Sequence, residues 1–456
     1  MSTFNMKIAF NLKRDFAFLT LAFIGLSALL VPQSLIAQKS NQQAIAYTIK
    51  PGDTLSQLTQ KYVRPEISYR LIQKYNGIKN DRRLQVGATL YMPRQYLRFE
   101  RSNAQILSIR GNISISNSGS TKTYNVGDKI SEGAVITTGK SSFMALALED
   151  GSQVSLPSNS NVSLRRLRRY TLERAIDYDF DIRKGGSRTK VAPLRGTNDR
   201  FRVRTPKAIS AVRGTEFQMR HDDETGSAIS EVVEGSLSVT NIVNNANGLL
   251  PAGNGLAVSK TGKEIREKLL PAPTVIDASK LQKSEQINFQ INPLDGAAKY
   301  RIALASDATF LNQVEDIIID NESLSLPALD NGRYFIRASA LSSNGIEGLS
   351  NLYSFKRRLN SVSATVDNSE DGFSFLWSAA GEGKRNYHFQ LFKADSNGQP
   401  AETIAYVDEA GLTNSNITIS TIPTGEYVWR IGTVLFADGE VDTSWTDYQK
   451  ISIGAE

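Results

Sequence analysis

The 456-residue sequence contains no cysteine. That excludes disulfides, thiolate metal sites, cysteine nucleophiles and a lipid-modified cysteine, so the chain is held together by its cores alone. Histidine is almost as scarce, with His221 and His388 the only two. Neither paired histidines on a metal nor a histidine beside a nucleophile can therefore be assembled. His221 opens HDDETG, which reads as a polar hairpin tip, since a metal there lacks two or three further ligands at fixed spacing. His388 lies in the alternating YHFQLF and reads as a solvent-side residue. The 46 Asp and Glu residues offer carboxylates for glycan cleavage, but nothing singles out two of them. These scarcities favour a binding or scaffolding protein over an enzyme, and they call for no cofactor.

Long apolar runs are also scarce. One stands out, Phe16 to Val31, preceded by Lys7, Lys13 and Arg14. It is shorter than the ~20 residues a spanning helix needs and is followed by Pro32, Ser34 and Ala37, so it reads as a secretory signal peptide over residues 1–37, cut after Ala37. Leu35, three positions before the cut, is larger than the usual small residue, and an uncleaved anchor stands as the alternative. Export makes nucleic acid a poor partner for the formal charge of +7 and favours anionic envelope polymers. At about 150 residues per domain the chain holds three to four domains.

From Ala44 to Pro93 the chain reads AIAYTIKPGDTLSQLTQKYVRPEISYRLIQKYNGIKNDRRLQVGATLYMP. A short strand over Ala46–Ile49 meets the turn Pro51-Gly52, and Asp53 or Thr54 caps a helix with Leu55, Leu58 and Tyr62 on one face. A second helix is predicted from Pro65, with Ile67, Leu71 and Tyr75 at four-residue spacing, ending at Asn76-Gly77. Leu84, Val86, Leu90 and Tyr91 predict a closing strand. PGDTLSQL, YNGI and VGATLYMP together resemble the LysM module over residues 44–94. The resemblance implies non-hydrolytic binding of N-acetylglucosamine glycans, chiefly peptidoglycan. Carried over by position, Gly52, Asp53, Thr54 and Leu55 form one wall of a groove, and Asn76, Gly77 and Ile78 the other. A second reading stands beside it: the glycines permit turns, and Asp53 or Thr54 caps a helix. The module has no tryptophan to stack on a sugar ring, so a single copy binds weakly.

Beyond Arg94 the sequence changes to short alternating segments broken by glycine and polar turns, the cadence of an all-β fold. Val126-Gly127-Asp128, Thr138-Gly139, Leu148 to Ser152, Val203 to Pro206 and Ala211 to Phe217 resemble the FecR domain, which implies an all-β domain over 103–270 outside the cytoplasmic membrane. A basic insertion separates the two halves. From Arg165 to Lys207 there are fourteen Lys or Arg against five Asp or Glu, a local +9. RRLRR followed by DYDFD has two readings: strands that pair their charges across a sheet, or a patch formed by Arg165, Arg166, Arg168, Arg169, Arg202 and Arg204 for an anionic envelope polymer.

From Pro271 an internal repeat appears, AKYRIALASDATF and DNGRYFIRASAL corresponding to RNYHFQLFKADSNG and PTGEYVWRIGTVLF. Residues 271–358 and 359–456 each resemble a fibronectin type III module, a β-sandwich of about 100 residues, with Trp377 and Trp429 filling the second core. The whole therefore reads as a multidomain, mainly β chain: a small βααβ module, an all-β domain and two β-sandwich modules. The functional expectation is an exported, non-catalytic, periplasmic or envelope-associated protein that binds peptidoglycan and presents its β modules to an envelope protein or polymer. A FecR-type signalling regulator acting through a separate partner is the alternative, since only fifteen residues precede the apolar run. A wall hydrolase is the third.

Overall fold

The computed structural model describes residues 43–454 except 118, 195, 213, 370, 371 and 438. The leader and its cut after Ala37 lie outside the described residues. Among the described residues no helix is long and apolar enough to cross a membrane.

The first unit is a two-stranded sheet flanked by two short helices. Strand β1 (Ala44–Thr48) runs antiparallel to β2 (Thr89–Pro93), Ala46 opposite Tyr91. Helix α1 (Leu55–Tyr62) starts where the Thr54 hydroxyl accepts from the Gln57 N–H, and it buries Leu55, Leu58 and Thr59. Helix α2 (Tyr69–Tyr75) starts later than Pro65, because the Ser68 side chain is its cap. This start also changes the buried face. Ile72 is fully buried, whereas Leu71 and Tyr75 are each 43% exposed. The closing strand is likewise shorter than predicted: Leu84 and Val86 precede it, and Val86 stands exposed.

The strands from Phe99 to Lys268 close into one hydrogen-bonded barrel with cross-pairings between its two faces. The basic stretch forms part of this wall. The arginine strand Asn161–Tyr170 pairs antiparallel with the aspartate strand Ile176–Lys190, bringing Arg166 opposite Asp179 and Arg168 opposite Asp177. A third strand, Arg200–Arg204, runs parallel to the aspartate strand, with Arg200 beside Asp177 and Arg202 beside Asp179. Side chains alternate across each strand, so Tyr178, Phe180, Phe201 and Val203 enter the barrel core while the charges share the outer face. Phe180 stacks on Phe201 with ring centroids 5.5 Å apart.

Parallel neighbours need a crossover, and the aspartate strand supplies it by changing sheets. Its second half pairs with Glu216–Asp222, and Gly185-Gly186 makes the bend. Gly185 has φ +66°, and a Cβ there would meet the Asn159 carbonyl at 2.6 Å. Any other residue would be strained twice over, by backbone conformation and by space.

Two sandwiches follow. The first packs Ile287–Gln290 and Ser323–Leu326 against a four-stranded sheet containing Lys299–Ala305 and Gly332–Leu341. The second packs a three-stranded sheet against one built on Lys384–Lys393 and Gly425–Ala437. Trp377 and Trp429 are buried in this second core, and the Phe375 ring meets Trp429 edge-on at 4.8 Å.

Candidate functional site

The polar side chains expected to form a sugar groove are engaged within the small module. Asp53 accepts from the Tyr47 hydroxyl at 2.8 Å and from the Lys50 N–H at 2.7 Å. Burial and the neighbouring carboxylate push the Tyr47 hydroxyl above its ordinary pKa. Thr54 caps α1. Asn76 donates to the carbonyls of Ile72 and Tyr91 and accepts from the Tyr91 N–H at 2.7 Å, which ties the end of α2 to β2. Leu55 lies in the core, fully buried.

A cleft of about 390 Å³ opens beside that tie. Asn76 and Ile78 line it, opposite Arg83, Leu84, Gln85 and Ala88, while Gly52, Asp53, Thr54 and Leu55 do not reach it. Its rim carries Lys79 and Asn80, both exposed, which the sequence reading left out. Apolar floor and polar rim together suit an N-acetylated sugar, whose acetyl methyl needs burial and whose hydroxyls need hydrogen bonds.

The module is docked on the barrel through a shared core. Tyr170, Leu172 and Ala175 from the barrel pack with Ile45, Leu55, Ile72 and Met92. Main-chain bonds reinforce the joint: the Arg64 N–H donates to Tyr96, and that of Thr171 to Arg98.

Beside this joint lies a second cleft, of about 550 Å³, lined by Arg94, Arg166, Arg168, Arg200, Arg202 and Arg204. The reading of paired charges across a sheet holds here. Arg200 Nε donates to Asp177 at 2.7 Å, Arg202 Nη2 to Asp179 at 2.6 Å and Arg204 Nε to Asp179 at 2.7 Å. Arg168 Nε donates to Glu132 at 2.8 Å. Pairing is incomplete, because six arginines face the three carboxylates Asp177, Asp179 and Glu132, leaving a surplus of three positive charges. Arg166 makes only long bridges, 3.9 and 3.8 Å. Of the predicted patch, Arg166, Arg168, Arg202 and Arg204 converge here; Arg165 is exposed outside the cleft, and Arg169 pairs with Glu149 at 3.5 Å. Arg94 and Arg200 complete the site without having been expected in it.

The electrostatics follow from that surplus. Burial alone would raise the Asp177 carboxyl, but the Arg200 hydrogen bond and the charges of Arg200, Arg94 and Arg202 hold it below the ordinary carboxylate range. Burial and the nearby Arg200 charge push Arg94 and Arg202 down to about 10. The cations there are short of counter-charge.

His221 and His388 take no part in either cleft. His221 lies in the strand Glu216–Asp222, opposite Ala228 and one pair inside the hairpin end where Asp222 faces Ser227, with its side chain mostly buried, and His388 bonds Asp408 beside Trp445. Among the described residues no group of three or more His, Cys, Asp or Glu side chains is placed to hold a metal ion. A third cleft separates the barrel from the first sandwich, where buried Glu347 accepts from Ser339 at 2.8 Å and bridges Arg188 and Arg301.

Comparison with known proteins identifies two units. Residues 47–93 match the LysM domain and residues 134–238 match the FecR protein family, so the FecR match runs through the whole basic stretch. A protein of Deinococcus radiodurans described as uncharacterized is 40% identical over 47 residues, 10% of this chain and 19% of that relative's length. A solved Parabacteroides distasonis structure described as an anti-sigma factor is 19% identical, covering 29% of this chain and 59% of its own, with a TM-score of 0.25. The two-domain fibronectin type III segment of chicken tenascin is 13% identical, covering 41% of this chain and 99% of its own, with a TM-score of 0.19. Fibronectin(III)-like modules of Clostridium thermocellum CbhA are 11% identical, covering 40% and 94%, with a TM-score of 0.19.

Proposed function

We propose that this chain, which carries a LysM domain over 47–93 and a FecR domain over 134–238, is an exported, non-catalytic protein that holds peptidoglycan through the LysM domain. The observation that carries the reading is the LysM match together with the cleft between Asn76-Ile78 and Arg83-Ala88, whose apolar floor and polar rim fit an N-acetylglucosamine unit. Asp53, Thr54 and Asn76 act as the frame of the module, and sugar contact falls to Ile78, Lys79, Asn80 and the main chain around them. The leader over residues 1–37 delivers the chain to the periplasm or envelope.

The FecR domain supports a second reading, signalling across the envelope through a separate partner.

The test is retention of the intact chain on purified sacculi, with soluble N-acetylglucosamine oligomers as competitor. Retention relieved by the oligomers supports glycan binding; no retention, or retention that the oligomers leave unchanged, overturns it. Release of soluble muropeptides in the same incubation would overturn the non-catalytic reading.

A further inference from the structure

The arginine cleft holds more cation than its own carboxylates neutralise, and Arg94 is the cation with no carboxylate in ion-pair distance among the described residues. Arg94 is 6% exposed, donates from Nη2 to the Asn198 carbonyl, and rests over the Tyr170 ring at 5.4 Å. Its Nε and Nη1 have no hydrogen-bond partner among the described residues, nor has Nε of Arg202. No carboxylate pairs with Arg94 among the described residues. Leaving buried charged donors unsatisfied is costly, and here the donors belong to two side chains that line the cleft. Burial and the Arg200 charge lower the pKa of both Arg94 and Arg202 to about 10.

Size and shape narrow the ligand. A volume of about 550 Å³ is in the range of sites for ligands of several groups and exceeds what one small ion fills. Planar guanidinium groups bind carboxylates through two parallel hydrogen bonds, as Arg200 already does with Asp177. Position narrows it further. Tyr75 lines the arginine cleft and Asn76, the next residue, lines the sugar cleft, so the end of α2 separates the two. A polymer lying in one would carry its side groups to the other.

We propose that the arginine cleft binds the carboxylates of the peptide stems borne by the same glycan strand that the LysM domain holds. The inference rests on the glycan reading above. Peptidoglycan is a chain of N-acetylated sugars with short acidic peptides on alternate units, and a two-cleft surface reads both components at once. Each cleft alone is weak, and the two linked sites reinforce each other through effective concentration.

The experiment titrates the intact chain with soluble peptidoglycan oligomers that retain their stems, with the same oligomers stripped of stems by an amidase, and with free stem peptide. Stem-bearing oligomers are expected to bind about tenfold or more tightly than stripped ones, an advantage lost at high salt. Arg166→Glu, at a half-exposed position with only long bridges, should abolish that advantage while leaving the binding of stripped oligomers unchanged. Equal binding of both oligomers overturns the proposal and leaves the glycan reading intact. An advantage that survives Arg166→Glu also overturns it, because the stems then bind elsewhere. Binding of free stems, lost in Arg166→Glu, without binding of stripped glycan would keep the cleft and remove the glycan reading. No binding by any probe removes both. If Arg166→Glu is misfolded by near-ultraviolet circular dichroism, the wild-type comparison of the two oligomers still decides. Vesicles containing a phosphorylated lipid form a further arm: Arg166-dependent binding to them, with no stem advantage, overturns the proposal in favour of a phosphate ligand.

Discussion

The side-chain amide of Asn198 brackets the main chain of Ala46. Its Oδ1 accepts from the Ala46 N–H and its Nδ2 donates to the Ala46 carbonyl, both at 2.9 Å. A residue of the FecR domain thereby satisfies the open edge of a LysM strand, and Arg94 bonds to the Asn198 carbonyl from the other side. An edge strand left open is a liability, and a side-chain amide that mimics a neighbouring strand closes it. Sugar cleft and arginine cleft are therefore held in fixed relation.

Asn198→Ala should weaken this joint. Two hydrogen bonds are lost and the part-buried N–H and carbonyl of Ala46 are left unpaired, a cost of about 1 kcal/mol or more. Thermal unfolding should shift downward, and limited proteolysis should become faster between the LysM strand β2 and the first barrel strand. An unchanged cleavage rate would mean that the shared apolar core alone fixes the domains.

Asp177→Ala should be among the most damaging single changes. Its carboxylate is fully buried against Arg200, and removal strands several buried cations, for about 3–5 kcal/mol. Chemical denaturation would measure this. A loss no larger than that of a surface substitution would contradict the ladder's structural role.

The same group fixes a pH dependence. The Asp177 carboxyl titrates lower when folded than when unfolded, so its stabilising contribution is present above the ordinary carboxylate range and is lost as pH falls through the folded value. Melting temperature should fall on acidification below about pH 4, and Asp177→Asn should flatten that fall. An equally steep acid limb in Asp177→Asn would assign it elsewhere.

Thr54→Ala separates capping from sugar contact. Loss of the bond to the Gln57 N–H should cost about 0.5–2 kcal/mol of stability. Affinity for N-acetylglucosamine oligomers should stay unchanged at a temperature where the variant is folded. A drop in affinity with no change in melting would place Thr54 at the sugar.

Glu347→Gln tests the joint behind the barrel. Buried Glu347 bridges Arg188 of the barrel and Arg301 of the first sandwich, and those arginine charges hold its carboxyl far below the ordinary range despite burial. The substitution keeps volume and removes charge, so Arg188 loses its carboxylate while Arg301 keeps Asp316 at 2.6 Å. Calorimetry should show the barrel and sandwich transitions separating; a single unchanged transition would contradict a shared unit.

The sequence carried some of this well and some not at all. PGDTLSQL was legible because a turn, a cap and the Leu55/Leu58 spacing are all local. The buried face of α2 differs from the predicted one because Ile67 precedes the helix, so helical spacing counted from it does not apply, and Ile72 is the residue that turns inward. Alternation of RRLRR with DYDFD carried the antiparallel pair. Alternation of Phe201 and Val203 with Arg202 and Arg204 marks the strand Arg200–Arg204, but its parallel pairing has no local sign, since its register depends on a crossover through another sheet. Arg94 was invisible for the same reason: its partners come from a different domain. Within PGDTLSQL, Asp53 and Thr54 both make hydrogen bonds inside the module.

Sedimentation of the intact chain with purified sacculi, with and without N-acetylglucosamine oligomers, tests the central claim most directly. The account predicts co-sedimentation that the oligomers reverse. A chain that stays in the supernatant, or one that sediments equally with and without the competitor, would contradict it.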